Sequence, residues 1–222
     1  MKHIKLFEQF IPKLNNEPIE VSSIGTFGQR ITNKGTKKIK KQDIIFATND
    51  TIEQIVRDEI KRLGKDADLN HINVSQVTNM DSVFSGTNFQ GDISQWDVSN
   101  VITMGYMFYC CDNFNCDLSN WKVGNVKYMS YMFNGCTNFN QDISNWNVRS
   151  AITMYEMFGS CTNFNQDISK WDVSNVTDMR YMFEECTNFN QDISNWNVEN
   201  VKEMYGVFYR CPIKEEYKPK FK

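Results

Sequence analysis

From Asp92 to Cys211 the chain repeats itself every 25 residues, and that period limits what it can fold into. The frame DISQWDVSNVITMGYMFYCCDNFNC restarts at Asp117, Asp142, Asp167 and Asp192, and a copy one residue shorter begins at Asp68, with Ile72 in place of Trp. In the copy from Asp142 the recurring apolar positions are Ile143, Trp146, Val148, Ala151 or Ile152, Met154, Met157, Phe158, Cys161 and Phe164. A unit this small cannot enclose those side chains alone, so neighbouring units must stack and share one core. The expected fold is a repeat solenoid of six coils over residues 68–211.

Within a unit, FNQDIS alternates Phe164, Gln166 and Ile168 against Asn165, Asp167 and Ser169, the period of a short strand whose copies would make a parallel sheet. Met154, Met157, Phe158 and Cys161 stand at i, i+3, i+4 and i+7, which predicts a short α or 3-10 helix over 153–161. Upstream, residues 43–67 predict a strand and a capping helix that lids the first coil. Asp50 with Glu53 reads as a capping box, Ile52, Ile55, Val56, Ile60 and Leu63 form one stripe, and Gly64 ends it. On its wet side Glu53 to Arg57 and Asp58 to Arg62 are expected ion pairs worth about 0.2–0.5 kcal/mol each. Pro212 stops the repeat, leaving 212–222 as a charged tail that shields the last coil. Residues 1–42, with Gly25, Gly28, Gly35 and the run KKIKK, predict a mobile extension or a docking element.

Charge is segregated: residues 1–67 carry +4, residues 68–211 carry −9 and the tail +2. An acidic body argues against a nucleic-acid partner, which asks for a clustered Lys/Arg face. No apolar run reaches the roughly 18 residues of a membrane helix, so no membrane insertion is expected. The opening MKHIKLFEQF is broken by charges, so no cleaved secretory signal is expected either and the default compartment is the cytoplasm, with reduced thiols.

Cys111, Cys136, Cys161, Cys186 and Cys211 form a column, with Cys110 and Cys116 as extras. In-register side chains of a parallel stack point the same way rather than at one another, so the column reads as small buried hydrophobes. CCx₄C is not a zinc spacing, and no metal centre is expected. Asp92, Asp117, Asp142, Asp167 and Asp192 make a ladder of like charges beside a Ser ladder from Ser94 and an Asn row from Asn115. At about 4.8 Å apart these charges repel by ~0.9 kcal/mol per neighbour in water. Either backbone N–H bonds at a corner offset that, or a row of weak cation sites does, calcium being the hard cation that suits carboxylate oxygens. The Trp column from Trp96 is expected in an apolar slot rather than as a sugar-stacking strip, since Ile72 occupies it once; the Met pairs are core.

Where copies differ, packing does not dictate the residue. Tyr109, Tyr155, Arg180 and Tyr209 fall at such positions and form the candidate contact patch, Tyr and Arg being good anchors on a rigid surface.

Units of the type DISNWNV followed by YMFEECTNFNQ resemble the BspA-like leucine-rich-repeat surface proteins, a bacterial domain of unknown function built on DxSxWDVSNVTxMxxMFxxCxxFNQ repeats. The resemblance spans 68–211. It implies a leucine-rich-repeat-like fold acting in adhesion or protein contact, often at a cell surface, and supplies no catalytic residue and no cofactor. The favoured expectation is a non-enzymatic binding module for a protein or a surface glycan. A phage-encoded assembly component docked through residues 1–42 is a second, and a solenoid polysaccharide-cleaving enzyme a third.

Overall fold

The computed structural model describes residues 44–221. The expected extension over 1–42 lies outside the described residues. A strand β1 (Ile45–Phe46) leads into a helix α1 (Ile52–Leu63), and β1 pairs in parallel with β2 (Ile72–Asn73) of the first unit, Ile45 opposite Ile72. A 3-10 turn, Glu215–Tyr217, lies near the other end.

Helix α1 lays Ile52 and Val56 into the core and ends where the Gly64 amide donates to the Ile60 carbonyl at 2.8 Å. Its N-cap is Thr51 rather than Asp50, and no side chain caps the first turn. The Thr51 hydroxyl turns back to accept from the Thr48 amide at 2.9 Å, which takes it away from the helix. Arg57 pairs with Glu53 at 3.0 Å. The other expected pair does not form: Arg62 bonds Glu59, and Asp58 accepts from Gln54 Nε2 at 3.0 Å. Glu59 lies on the buried side against His71 Nε2, 2.8 Å away, and the local Arg62 fork at i+3 outcompetes the solvated carboxylate at i−4.

Consecutive units hydrogen-bond to one another across 23 to 26 residues. Single-residue parallel bridges run Asn79, Thr103, Tyr128, Thr153, Asp178, Glu203. Beyond each bridge the backbone alternates. Amides of Met154, Glu156, Phe158 and Ser160 donate forward to the carbonyls of Asp178, Arg180, Met182 and Glu184, at 2.7–3.0 Å. Amides of Met157, Gly159 and Cys161 close back on the carbonyls of Met154, Glu156 and Phe158. The same pattern recurs from Met104 and from Met129.

The helix expected over 153–161 is therefore absent, and overlapping i to i−3 turns take its place. An α-helix spends every amide within its own segment; here every second one crosses to the next unit. That requires left-handed residues, and φ is positive in two columns: Ser82, Tyr106, Tyr131, Glu156, Tyr181 and Gly206, then Gly86, Cys110, Gly135, Ser160, Glu185 and Arg210. Non-glycine residues pay of order 1 kcal/mol each for that conformation, and the cross-unit hydrogen bonds hold them in it.

No strand forms over 164–169 either, although Phe164 and Ile168 are buried and Asn165 and Asp167 exposed as the alternation requires. Side-chain amides replace the backbone ladder there. The backbone N–H groups of Asn140, Asn165 and Asn190 donate to the side-chain Oδ1 of Asn115, Asn140 and Asn165 at 2.9–3.0 Å.

The core is a set of columns. Phe108, Phe133, Phe158 and Phe183 stack with centroids 5.5–5.7 Å apart, flanked by Phe114, Phe139, Phe164 and Phe189. Ala151 is inside and Ile152 outside. Each Trp is buried, and Trp121, Trp146, Trp171 and Trp196 donate Nε1–H to the carbonyls of Ile93, Leu118, Ile143 and Ile168 at 3.0–3.2 Å. A buried indole whose N–H is spent on a backbone carbonyl has no face left for a sugar. In the tail, Lys214 donates its amide to Asn190 Oδ1, and the Ile193 amide donates to the Tyr217 carbonyl, while Ile213 is buried.

All seven cysteines are free thiols. Cys111, Cys136, Cys161 and Cys186 are buried and donate S–H to the carbonyls of Phe84, Phe108, Phe133 and Phe158 at 2.8–2.9 Å. Burial pushes the thiols of Cys136, Cys161 and Cys186 well up from their ordinary range, so they stay protonated at pH 8. A thiol reagent added to the folded protein at that pH is expected to modify the exposed Cys110 first, with these three reacting only at the rate of unfolding. Peptide mapping that finds them labelled as fast as Cys110 would contradict the packing.

Asp81 is the carboxylate most affected by burial in the first unit. Burial raises its pKa, against hydrogen bonds from the Thr103 hydroxyl and the Gly105 amide. The folded state thus binds the proton more readily than the unfolded chain, and ionised Asp81 works against folding at pH 7. Asp81→Asn keeps an oxygen acceptor and removes the charge. It is expected to melt above the parent at pH 7, with the gap closing as pH falls below the carboxylate's unfolded value; equal melting at pH 7 would count against this account.

Candidate binding face

The candidate face grows out of the left-handed columns. A residue at positive φ aims its side chain away from the core that its neighbours fill, so Tyr106, Tyr131 and Tyr181 emerge beside the buried Met-Phe pairs. Tyr106 stacks on Tyr131 at 4.4 Å between centroids and meets Tyr109 edge-on at 5.5 Å. Tyr131 meets Tyr155 edge-on at 4.8 Å, Tyr155 approaches Tyr181 at 6.5 Å, and Tyr181 meets Tyr205 at 5.3 Å. Six tyrosines in a row, drawn from four successive units and a fifth, make one continuous aromatic strip.

Arg180 lies over the Tyr155 ring at 5.0 Å, fixed by a two-pronged bond to Asp178 at 3.0 and 2.7 Å. Of the residues the sequence singled out, Tyr109, Tyr155 and Arg180 thus come together through Tyr131. Tyr209 does not join them and sits beside Arg210, whose guanidinium lies 5.1 Å from its ring. Tyr106, Tyr131 and Tyr181 were missed because they adjoin the core Met in each YMF triplet. Glycine at the same place in the last unit, Gly206, is the signal that this column is left-handed and outward.

The strip is acidic at its middle. Glu156 accepts from Asn134 Nδ2 at 2.9 Å. The Glu184 carboxyl is raised by burial first, then by the nearby charges of Glu156 and Glu185. Burial also pushes the Tyr106 hydroxyl up to about 12 and Tyr131 further up, so both stay neutral donors at any physiological pH.

The Asp ladder belongs to a different corner. Asp92, Asp117, Asp142, Asp167 and Asp192 each accept from the amide of the serine two residues on, at 2.8–3.0 Å. Hydrogen bonding from that serine holds Asp92, Asp142, Asp167 and Asp192 below the usual carboxylate range. Among the described residues no three His, Cys, Asp or Glu side chains converge as metal ligands would, and no helix is long and apolar enough to cross a membrane.

A family model described as a Mycoplasma protein of unknown function, DUF285, matches residues 54–166 and 150–216, more than half of the chain. The chain belongs to the DUF285 family. No curated protein matches it, and no solved structure does. The DUF285 match takes in every residue of the aromatic strip and the Asp ladder.

Proposed function

We propose that the 25-residue units form a repeat solenoid of the leucine-rich-repeat, BspA-like kind, and that this solenoid is a non-enzymatic binding module acting in adhesion or protein contact. Hydrogen bonds that recur from unit to unit at equivalent positions support the first part. The tyrosine strip with Arg180 carries the second. Tyrosine offers large contact area at little cost in side-chain entropy, and it is the residue type enriched where proteins meet. The rows of carboxylates each have the same serine partner, whereas acid–base catalysis asks for a few groups of unlike pKa in one pocket.

A protein partner fits the face better than a glycan. Sugars stack on open ring faces, but Tyr106 and Tyr131 lie face to face and Arg180 lies over Tyr155. Hydroxyls and edges are what remain, beside Glu156 and Glu184, which suits a partner presenting Lys or Arg among apolar side chains. The test is a peptide display library and a glycan array, each probed with the full-length protein and with a Tyr131→Ala/Tyr155→Ala variant. Basic, aromatic peptides bound by the parent and lost by the variant support the reading. Glycans lost in the same way would move the partner to carbohydrate, and ligands indifferent to the variant would overturn the face.

A further inference from the structure

Among the described residues no unit follows the sixth. In the fifth unit the amides of Met179, Tyr181, Phe183 and Glu185 donate to the carbonyls of Glu203, Tyr205, Val207 and Tyr209. In the sixth, the equivalent amides of Met204, Gly206, Phe208 and Arg210 meet no acceptor among the described residues. The segment nonetheless keeps the alternating conformation: Tyr209 and Cys211 amides close back on Gly206 and Phe208, and Gly206 and Arg210 hold φ of 68° and 53°. The edge therefore offers amide donors with no carbonyl between them, because the intervening carbonyls already face the fifth unit.

An ordinary extended strand fits such an edge badly. Along one side it shows N–H and C=O groups in turn, so half of its groups would meet donors with donors. Carboxylates present acceptors only, and successive amides in alternating right- and left-handed backbone make an anion-receiving concavity. Around this row lie Tyr205, 73% exposed, and Tyr209, 49% exposed, with Met204 beside them. Together with Phe208, Lys218 and Phe221 they line a depression of about 380 Å³. Lys218 lines it together with its ion-pair partner Glu215, and Arg210, paired with Glu185, ends the amide row beside it. At the first unit α1 stands beside the equivalent edge, where Arg57 reaches the Ser85 carbonyl at 3.5 Å, so a second copy would have to pass that helix to pair with it.

We propose that the C-terminal edge of the stack, from Met204 to Arg210, is a docking site for an acidic peptide segment, its carboxylates on the amide row and its apolar side chains on Tyr205 and Tyr209. The site is separate from the tyrosine strip's middle and stands or falls independently of it. The experiment uses the full-length protein and a short fluorescent peptide alternating Glu with Leu, read by anisotropy, with Gln–Leu and Lys–Leu peptides as comparisons. The Glu–Leu peptide is expected to bind tighter than the Gln–Leu peptide by at least about tenfold, the equivalent of one hydrogen bond to a charged group. Met204→Pro removes one donor and is expected to weaken it severalfold. If that variant melts early, Arg210→Glu with Lys218→Glu asks the same question on an unaltered backbone. Tyr131→Ala/Tyr155→Ala should leave this binding unchanged. Equal affinity for the Glu–Leu and Gln–Leu peptides would overturn the proposal, as would a concentration-dependent rise in mass that these edge variants abolish, which would assign the edge to a second copy.

Discussion

A chain lacking residues 142–166 is expected to fold and to unfold cooperatively, whereas a chain lacking residues 142–153 is not. The first deletion joins Gln141 to Asp167, a seam with the same neighbours as Gln166 to Asp167, and each remaining unit finds its bridges, its phenylalanine column and its asparagine ladder intact. Stability in such a stack is close to a sum over units and their interfaces, so the shortened protein should melt lower. Its denaturant dependence should fall by about one seventh, in line with the surface lost. The second deletion sets Gln141 against Met154, which removes the bridge at Thr153 and leaves forward-pointing amides in the preceding unit without carbonyls. Circular dichroism with urea titration separates the two. Equal behaviour would show that the period is not what holds the chain together.

Phe133→Ala is the single substitution with the largest expected effect. Phe133 is fully buried, 5.5 and 5.7 Å from the rings of Phe108 and Phe158, 4.1 Å from Phe139 and 6.1 Å from Trp146. Truncation leaves a cavity that two rigid neighbouring units cannot close, for an expected loss of about 3–5 kcal/mol. The same change at Phe208, which is half-buried at the end of the column, should cost much less. Urea denaturation of the pair measures the difference, and similar losses at both positions would argue that the column does not act as one core.

The period was legible because every unit repeats the same buried side chains, and composition alone marked aromatic and sulfur-rich packing. What happens inside a unit was not. Met154, Met157, Phe158 and Cys161 are spaced as on a helix, and the structure buries all of them without one. A chain alternating right- and left-handed residues brings the same positions to one side, so apolar spacing cannot tell the two apart. Only the glycines at Gly86, Gly135 and Gly206, each in a column otherwise filled by larger residues, hinted at the second solution. The capping box failed for a similar reason: Asp50 and Glu53 have the right separation, but Thr48 and Thr51 fix the turn one residue later. On the face, variable positions pointed to Tyr109, Tyr155 and Arg180, whereas Tyr106 and Tyr131 were hidden by adjacency to the core.

In the alternating segment of each unit the peptide groups that cross over, such as those of Met154, Glu156, Phe158 and Ser160, aim their N–H ends toward the sixth unit, while those at Ile152 and Asn163 aim back toward the first. Such groups are small electric dipoles, and when aligned they add rather than cancel, as they do along a helix. The alternating segment is thereby polarised along the direction of the repeat, its positive ends toward Arg210, and the corner whose amides donate backward opposes it.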